Sequence, residues 1–388
     1  MSVDRSLQSI VGVGAVSGYG WGVQALIDGI ESGKSAATMV PADPPLLPGK
    51  PVWAARVPDG GLPQDGPTRF TRALRHAARE AVSDALVRGW EPGPTVGLVV
   101  AATNGDWDSM LSVVDWTEGR PSRHLAQFMP GTWVSSIMNE FGFHGPSMVI
   151  GAACASGMQA MMIARDWLRL GHASDVLVVG ADLAATPRHI RFLSYWRVSV
   201  HEIHPLDACA PFSDATHGFS EGEGAAGVMM TVQHPSSYLD IAGAAASSDG
   251  GSWAAIADDH QHIIRCVHQA LGQADMVSTE VSMYHSHGTG TKPCNQVERG
   301  ILTMMSPRVR ATTIKPLTGH CHPASAVLET LLAAKSHQTK RLLAAPAAPG
   351  ADPQVVDGCV DWEPEPALQL AMGMGGHNAA MVLTPARS

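Results

Sequence analysis

The chain has 388 residues, 45% of them hydrophobic and 16% charged, and its 35 acidic residues against 26 basic ones give a formal net charge of -9. That is enough apolar material for two modest domains or one large α/β unit, and the acidic balance gives no electrostatic reason to bind nucleic acid. The glycine-broken N-terminal run and the lack of any apolar stretch of bilayer length lead us to expect neither a signal peptide nor a membrane span. The six cysteines, Cys154, Cys209, Cys266, Cys294, Cys321 and Cys359, have no CxxC spacing. Reduced thiols in a cytoplasmic protein are therefore expected.

From the N-terminus, "SIVGVGAVSGYGWGVQALIDGIESGKSA" passes from a β-type run through glycines into a helical pattern with apolar Val23, Leu26, Ile27 and Ile30. Pro- and Gly-rich text from Pro41 to Pro67 reads as a surface excursion. "TRFTRALRHAAREAVSDALVRG" then predicts a helix ending at a glycine. Strands are predicted at "TVGLVVAAT", "SMVIGA" and "DVLVVGAD", with a helix from Ser156 to Leu170 between the last two. A second round follows "GAAGVMMTV": the strand "YLDIAGAAASS", the helix "DDHQHIIRCVHQALGQA", the strand "VSMYHSHG", and the helices "NQVERGILTMM" and "ASAVLETLLAAKS". "LQLAMGMGGHNAAMVL" reads as two strands joined by a glycine turn. The βα plan occurs twice, as expected of a layered α/β protein with halves at 1–235 and 236–388.

Cys154 stands between an apolar strand and a helix, where the free N–H groups and the positive end of the helix dipole favour thiolate over thiol. A cysteine chosen at random is more often a small core residue. Here Gly151, Ala152, Ala153, Ala155 and Gly157 keep its surroundings open to a substrate. His287 follows a strand end in "HSHGTGTKPCNQVE", and Lys315 and His320 flank a Thr-Gly turn in "TIKPLTGHCHPASAVLE". Either histidine alone carries little weight, because the chain has 18 of them.

"GAACASG", "PFSDATHGFSEGEGAAGVMM", "HGTGT", "IKPLTGH" and "MGMGGHNAAMVL", in this order, resemble the β-ketoacyl-[acyl-carrier-protein] synthase II type of ketosynthase in the thiolase superfamily. The resemblance runs almost the whole chain and implies a five-layer α-β-α-β-α fold from two pseudo-repeated halves. It implies a catalytic set of Cys154, His287 and His320, with Cys154 carrying the acyl chain and the two histidines holding a malonyl-type extender as it loses carbon dioxide. It further implies an ionic pair of Lys315 and Glu298, a nearby buried Glu329, and an oxyanion hole from the backbone N–H groups of Cys154 and Met374. Thr289 and Thr291 would hold the pantetheine arm, Met374 and Gly375 would form the gate, and Trp133, Met372 and Met374 would line the acyl pocket. Arg69, Arg72 and Arg75, spaced to share one helix face, would dock an acidic acyl carrier protein. The resemblance implies a homodimer, or a heterodimer with a second ketosynthase-like chain. Substrates would arrive on the phosphopantetheine of the carrier, with no cofactor bound by the enzyme itself.

The chain departs from the family pattern at several positions. The gate, usually Gly-Phe-Gly-Gly-Thr-Asn, has Met374 for the aromatic residue and His377 for threonine; His217 replaces an aspartate, and Cys294 and Asn295 replace Gly-Asp. Trp133 is bulkier than usual. These changes bear on the acyl substrate more than on the reaction type, and they favour polyketide or other specialised metabolism. Alternatives are an acyltransferase or cyclase that uses the acyl-cysteine without decarboxylation, and a chain-length-factor-like partner subunit, against which Cys154 and both histidines argue. A thiol hydrolase would leave the second histidine and the Thr-rich turn without a role. "GVGAVSGYG" lacks the GxGxxG register and reads as tight strand-to-helix packing. "HCH" at 320–322 has no metal-ligand spacing, so no metal is expected.

Overall fold

The computed structural model describes residues 7–41, 51–107, 109–110, 129–186, 189–190, 193, 195 and 199–387. The first half contains β1 (Gln8–Ser17), α1 (Val23–Glu31), α2 (Arg69–Val87), β2 (Val96–Ala101), α3 (Pro130–Phe141), β3 (Ser147–Ile150), α4 (Ser156–Arg169), β4 (Asp175–Asp182) and β5 (Gly224–Val232). The second contains β6 (Leu239–Ser248), α5 (Gln261–Gln273), β7 (Met283–His285), α6 (Lys292–Met304), β8 (Arg310–Thr312), α7 (Pro323–Thr339), β9 (Ala367–Gly373) and β10 (His377–Pro385).

These strands hydrogen-bond in the order β8-β7-β9-β10-β6-β1-β5-β4-β2-β3. Counted within its own half, each set of five follows the same order, 3-2-4-5-1. Strand directions match too: the outer three are parallel in both halves, and the next two pairings inward are antiparallel. Among the described residues the two sets of strands join only through Gln8–Ile10 of β1 against Leu239–Ile241 of β6. Duplication of one βα plan, which the sequence implied, is thus carried in the pairing itself.

Side chains on alternate faces of the strands go to different cores, as the period of two requires. Ile10, Val13 and Ala15 of β1 join a central core with α4 and α7, whereas Val11 and Val16 join a core under α2 and α3. In the second half, Leu368, Leu370 and Met372 of β9 pack with α5 and α6, while Ala367 and Ala371 face the central core. The result is the five-layer stack: α2 and α3, a sheet, α4 and α7, a sheet, α5 and α6. In the middle layer α7 is buried along nearly its whole length, as expected of a helix with sheet on both sides.

Glycine sets the close approaches. A Cβ on Gly12 would lie 2.2 Å from the Ala81 carbonyl and one on Gly14 equally close to that of Ala77, so the Gly-rich opening seats α2 on β1. Between α4 and α7, a Cβ on Gly157 would lie 2.5 Å from the Pro323 carbonyl. The predicted surface excursion differs in part. Residues 42–50 lie outside the described residues, but Val52, Ala54, Ala55 and Val57 are buried. There the Ala55 N–H donates to the Glu221 carbonyl at 2.9 Å, and Glu223 N–H to the Ala55 carbonyl at 2.8 Å. Among the described residues no helix is long and apolar enough to cross a membrane.

The Gly157→Ala substitution should push the two central helices apart and cost about 1–3 kcal/mol, the usual range for overpacking. Urea unfolding monitored by circular dichroism measures it; unchanged stability would show that this contact yields.

Candidate active site

The nucleophile sits on a strained turn. After β3 the chain reverses through Ala153, whose φ of 48° lies in a region that alanine rarely occupies. Ser156 stabilises the turn from both sides, its Oγ accepting from Ala152 N–H at 2.7 Å and donating to the Ala153 carbonyl at 2.6 Å. Helix α4 begins at once, so Cys154 lies beside its N-terminal end, as the sequence predicted. The gate strand closes the turn from behind: a Cβ on Gly373 would lie 2.7 Å from the Ala152 carbonyl. Cys154 is only 8% exposed. It borders a cavity of about 330 Å³ that is also lined by His287, His320, Thr289, Thr291 and Met374.

Both predicted histidines lie beyond the carboxyl ends of the parallel strands β7 and β8, where α/β sheets place ligands. His320 Nε2 is 3.0 Å from Cys154 Sγ, and its Nδ1 is 3.1 Å from Ser325 Oγ, which fixes the ring. The His287 ring stands edge-on to it, centroids 5.5 Å apart. Burial holds the pKa of both well below the usual imidazole value; for His320 the nearby His322 adds to this, and for His287 the Lys315 charge does. Both are therefore neutral rings, each able to donate one N–H to a developing negative charge.

Lys315 and Glu329 are where the sequence put them, but the expected ionic partner changes. Lys315 is 1% exposed; its Nζ donates to the His287 carbonyl and pairs with Glu329 Oε1 at 2.5 Å. Burial opposes the ammonium, yet the Glu329 charge and hydrogen bond outweigh it and raise its pKa. Glu298, expected as the partner, instead accepts from Tyr284 O–H and Gly288 N–H, both at 3.0 Å, and from Cys294 S–H at 3.1 Å. It braces the turn carrying His287, whose Gly288 has a φ of 57°. Thr289 and Thr291 lie with their hydroxyls 3.3 Å apart. Asn295 is a structural replacement, donating to the Ser213 carbonyl at 2.9 Å. Met372 and Met374 border the cavity with Gly373, and Gly375 lies one residue beyond, with a φ of 85°.

Two further expectations are corrected. Trp133 does not border the catalytic cavity; it is 3% exposed in the core under α2 and α3, its ring 4.9 Å from Phe70. Large aromatics gain most by full burial. Arg69, expected on a docking face, is 9% exposed and pairs with buried Glu223 at 2.6 Å. Arg75 pairs with Glu140 at 2.7 Å, and half-buried Arg72 donates to the Thr68 carbonyl at 3.2 Å. A three-residue repeat on a helix drifts around its axis, and here it turns the first arginine inward.

The sequence reading missed His322 and Glu221. His322 Nδ1 is 3.7 Å from Cys154 Sγ, and its Nε2 is 2.7 Å from Glu221 Oε2. A signal was present in both motifs, as an extra histidine in "HCH" and an extra acid in "SEGEG". Ligand atoms of Cys154, His320 and His322 lie within 4.8 Å of one another, as do those of His189, Glu221 and His322, a grouping that sequence spacing gave no reason to expect.

Comparison with known proteins finds two family models. "Beta-ketoacyl synthase, N-terminal domain" matches residues 64–234 and "Beta-ketoacyl synthase, C-terminal domain" matches residues 238–345. Polyketide synthase ThaG of Burkholderia thailandensis is 28% identical over 61% of this chain, which spans only 4% of ThaG's length. The 3-oxoacyl-[acyl-carrier-protein] synthase 2 of Staphylococcus aureus is 24% identical over 81% of this chain and 83% of its own. Among solved structures, the ishigamide ketosynthase/chain length factor superposes with a TM-score of 0.85 at 21% identity, covering 98% of this chain and 99% of that one. A ketosynthase complex of a type II PKS with its acyl-carrier protein, AntDE:AntF, gives 0.83 at 19% identity, covering 98% and 100%.

Replacing Lys315 by methionine strands the Glu329 carboxylate, and leaving one buried charge unpaired costs about 3–5 kcal/mol. Chemical denaturation should show that loss, and adding Glu329→Gln to Lys315→Met should recover much of it. If the double variant is no more stable than the single one, the pair is not the source of the loss.

Proposed function

This chain belongs to the β-ketoacyl synthase family, and on that premise we propose that it joins a Cys154-bound acyl chain to a malonyl-type carrier-protein thioester by decarboxylative Claisen condensation. The observation that carries the reading is His320 Nε2 at 3.0 Å from Cys154 Sγ, with His287 beside it in one cavity. In the first half-reaction the sulfur attacks the acyl thioester carbonyl, and the carrier thiol leaves. In the second, the extender's thioester carbonyl lies between the two neutral imidazoles. Their N–H groups stabilise the enolate formed as carbon dioxide departs, and the carbanion attacks the acyl-cysteine. Backbone N–H groups of Cys154 and Met374 would receive the oxyanion of the tetrahedral intermediate, a contribution of roughly 3 kcal/mol per donor. Neutrality is essential, because a hydrogen bond from a neutral ring supports the enolate without holding the extender's carboxylate in place as a cation would.

We assign the phosphopantetheine arm to Thr289 and Thr291, whose hydroxyls line the cavity. The flexible Met374 in place of a gate aromatic, and the type II polyketide context of the AntDE:AntF complex, support an acyl substrate from specialised metabolism. The division at residues 235 and 236 is supported by the duplicated strand order. For the oligomer we propose a dimer formed along β3. Among the described residues β3 is the last strand of its sheet, Met148 on it is 43% exposed, and an open edge of this kind is a natural pairing surface.

Incubation with acyl-carrier thioesters followed by intact mass measurement should place an acyl adduct on Cys154, and Cys154→Ala should carry none. His287→Ala should still load acyl groups while its carbon dioxide release from malonyl carrier falls on the order of 10²–10³-fold. An adduct without carbon dioxide release in the wild type would instead mark an acyltransferase or cyclase.

A further inference from the structure

The condensation just described uses two histidines, yet a third touches the same sulfur. His322 bridges Cys154 and Glu221 through its two ring nitrogens, at 3.7 and 2.7 Å. Glu221 is 1% exposed, and its other oxygen, Oε1, is buried with no hydrogen-bond partner among the described residues. A carboxylate is expensive in such a place unless a positive charge faces it. Its position is fixed by backbone pairing with the other catalytic segment: His320 N–H donates to the Ser220 carbonyl at 2.8 Å, and Gly222 N–H to the His320 carbonyl at 3.0 Å. His322 itself has φ 44° and ψ −118°, a strained conformation for a non-glycine residue that the surrounding packing must hold.

We propose that Cys154, His322 and Glu221 form a proton-transfer triad that serves the loading half-reaction. In the ready site the Cys154 S–H proton already rests on His322 Nδ1, and the thiolate so formed attacks the acyl thioester carbon to make the new S–C bond. The carbonyl re-forms, the bond from carbon to the carrier's sulfur breaks, and the imidazolium returns the proton to that leaving thiolate. Glu221 holds the ring by its Nε2–H and balances the imidazolium charge, as the acidic member of a nucleophile–base–acid triad does. His287 and His320 remain free for the extender. The inference rests on the reading of Cys154 as acyl acceptor.

The surroundings agree with this division of labour. Burial would lower the pKa of His322, but the Glu221 charge and the hydrogen bonds to Cys154 and Glu221 raise it well above the usual value, the reverse of His287 and His320. Groups whose environments drive their titrations apart are the mark of separate acid–base roles. Among the described residues the other titratable groups facing His322 are His320, with ring centroids 4.6 Å away, His189 at 6.1 Å, His287, and Asp182 at the end of β4. Burial pushes Asp182 up to about 6, leaving it largely ionised near neutral pH, and pushes His189 down to about 4, leaving it neutral; Glu221 is the principal counter-charge because its Oε2 lies 2.7 Å from the ring.

The test is single-turnover loading of the full chain with a soluble acyl thioester, followed by intact mass between about pH 6 and 9, for wild type, His322→Gln and the shape-preserving Glu221→Gln. His322→Gln should load on the order of 10²-fold more slowly near pH 7, with Glu221→Gln between it and wild type. Both deficits should shrink toward pH 9, where bulk hydroxide ionises the thiol without help; a merely structural defect would not be repaired by pH. Circular dichroism confirms that each variant is folded, and Glu221→Gln alone decides the matter if His322→Gln is not. Equal loading by all three proteins at every pH would overturn the triad, as would stoichiometric bound zinc whose removal by chelator abolishes wild-type loading. A wild type that loads at no pH would overturn the acyl-acceptor reading and the triad with it.

Discussion

The close approach of α4 and α7 in the middle layer is the constraint on which the rest depends. Each is the helix that follows the third strand of its half, so the two are equivalent elements of a duplicated plan. Gly157 lets the start of one meet Pro323 at the start of the other with no side chain between. The segments leading into both helices are thereby brought face to face. One carries Cys154; the other carries His320 and His322. Chemistry arises at this seam because the loops before the two helix N-termini meet there while the strands and helices around them are committed to packing.

Charge is distributed within the site with little room for error. Lys315 lies 28 positions from the His287 carbonyl it binds, and its ammonium is neutralised by Glu329 rather than by solvent. That buried cation, together with burial itself, keeps His287 neutral. Only a short distance away Glu221 holds His322 charged. Three imidazoles in one cavity therefore adopt opposed protonation states, set by burial, the nearby Lys315 charge and whether a carboxylate faces the ring. Such opposition survives only where water is kept out, since solvent would level the differences.

How much of this was legible in the sequence follows from the range of the interactions. Strands such as "TVGLVVAAT" and "DVLVVGAD" announce themselves because both of their faces are buried. Cys154, His287 and His320 were legible because each sits in a run of small residues and turn formers that has little other reason to exist. The layered order, 3-2-4-5-1 twice over, could be suspected from the repeated plan but not read from it, since pairing between β1 and β6 joins residues more than two hundred positions apart. Partner choice was the weakest point. Lys315 had two glutamates within reach on paper, and only the fold decides that Glu329 lies against it while Glu298 turns to the backbone of Gly288. Trp133 and Arg69 failed for a related reason: a residue's direction around its helix follows from what the helix packs on. His322 and Glu221 were overlooked because each looks ordinary alone, and the meeting of the two is a product of tertiary structure.

The left-handed alanine before the nucleophile bears on how closely the sulfur is aimed. Ala153 occupies its turn at a conformational cost that glycine would not incur. A glycine there would relax the backbone, and the sulfur would swing through a wider arc at the mouth of α4. The methyl group at this point gives up a little stability for aim, and a branched residue there would strain the turn further than alanine does.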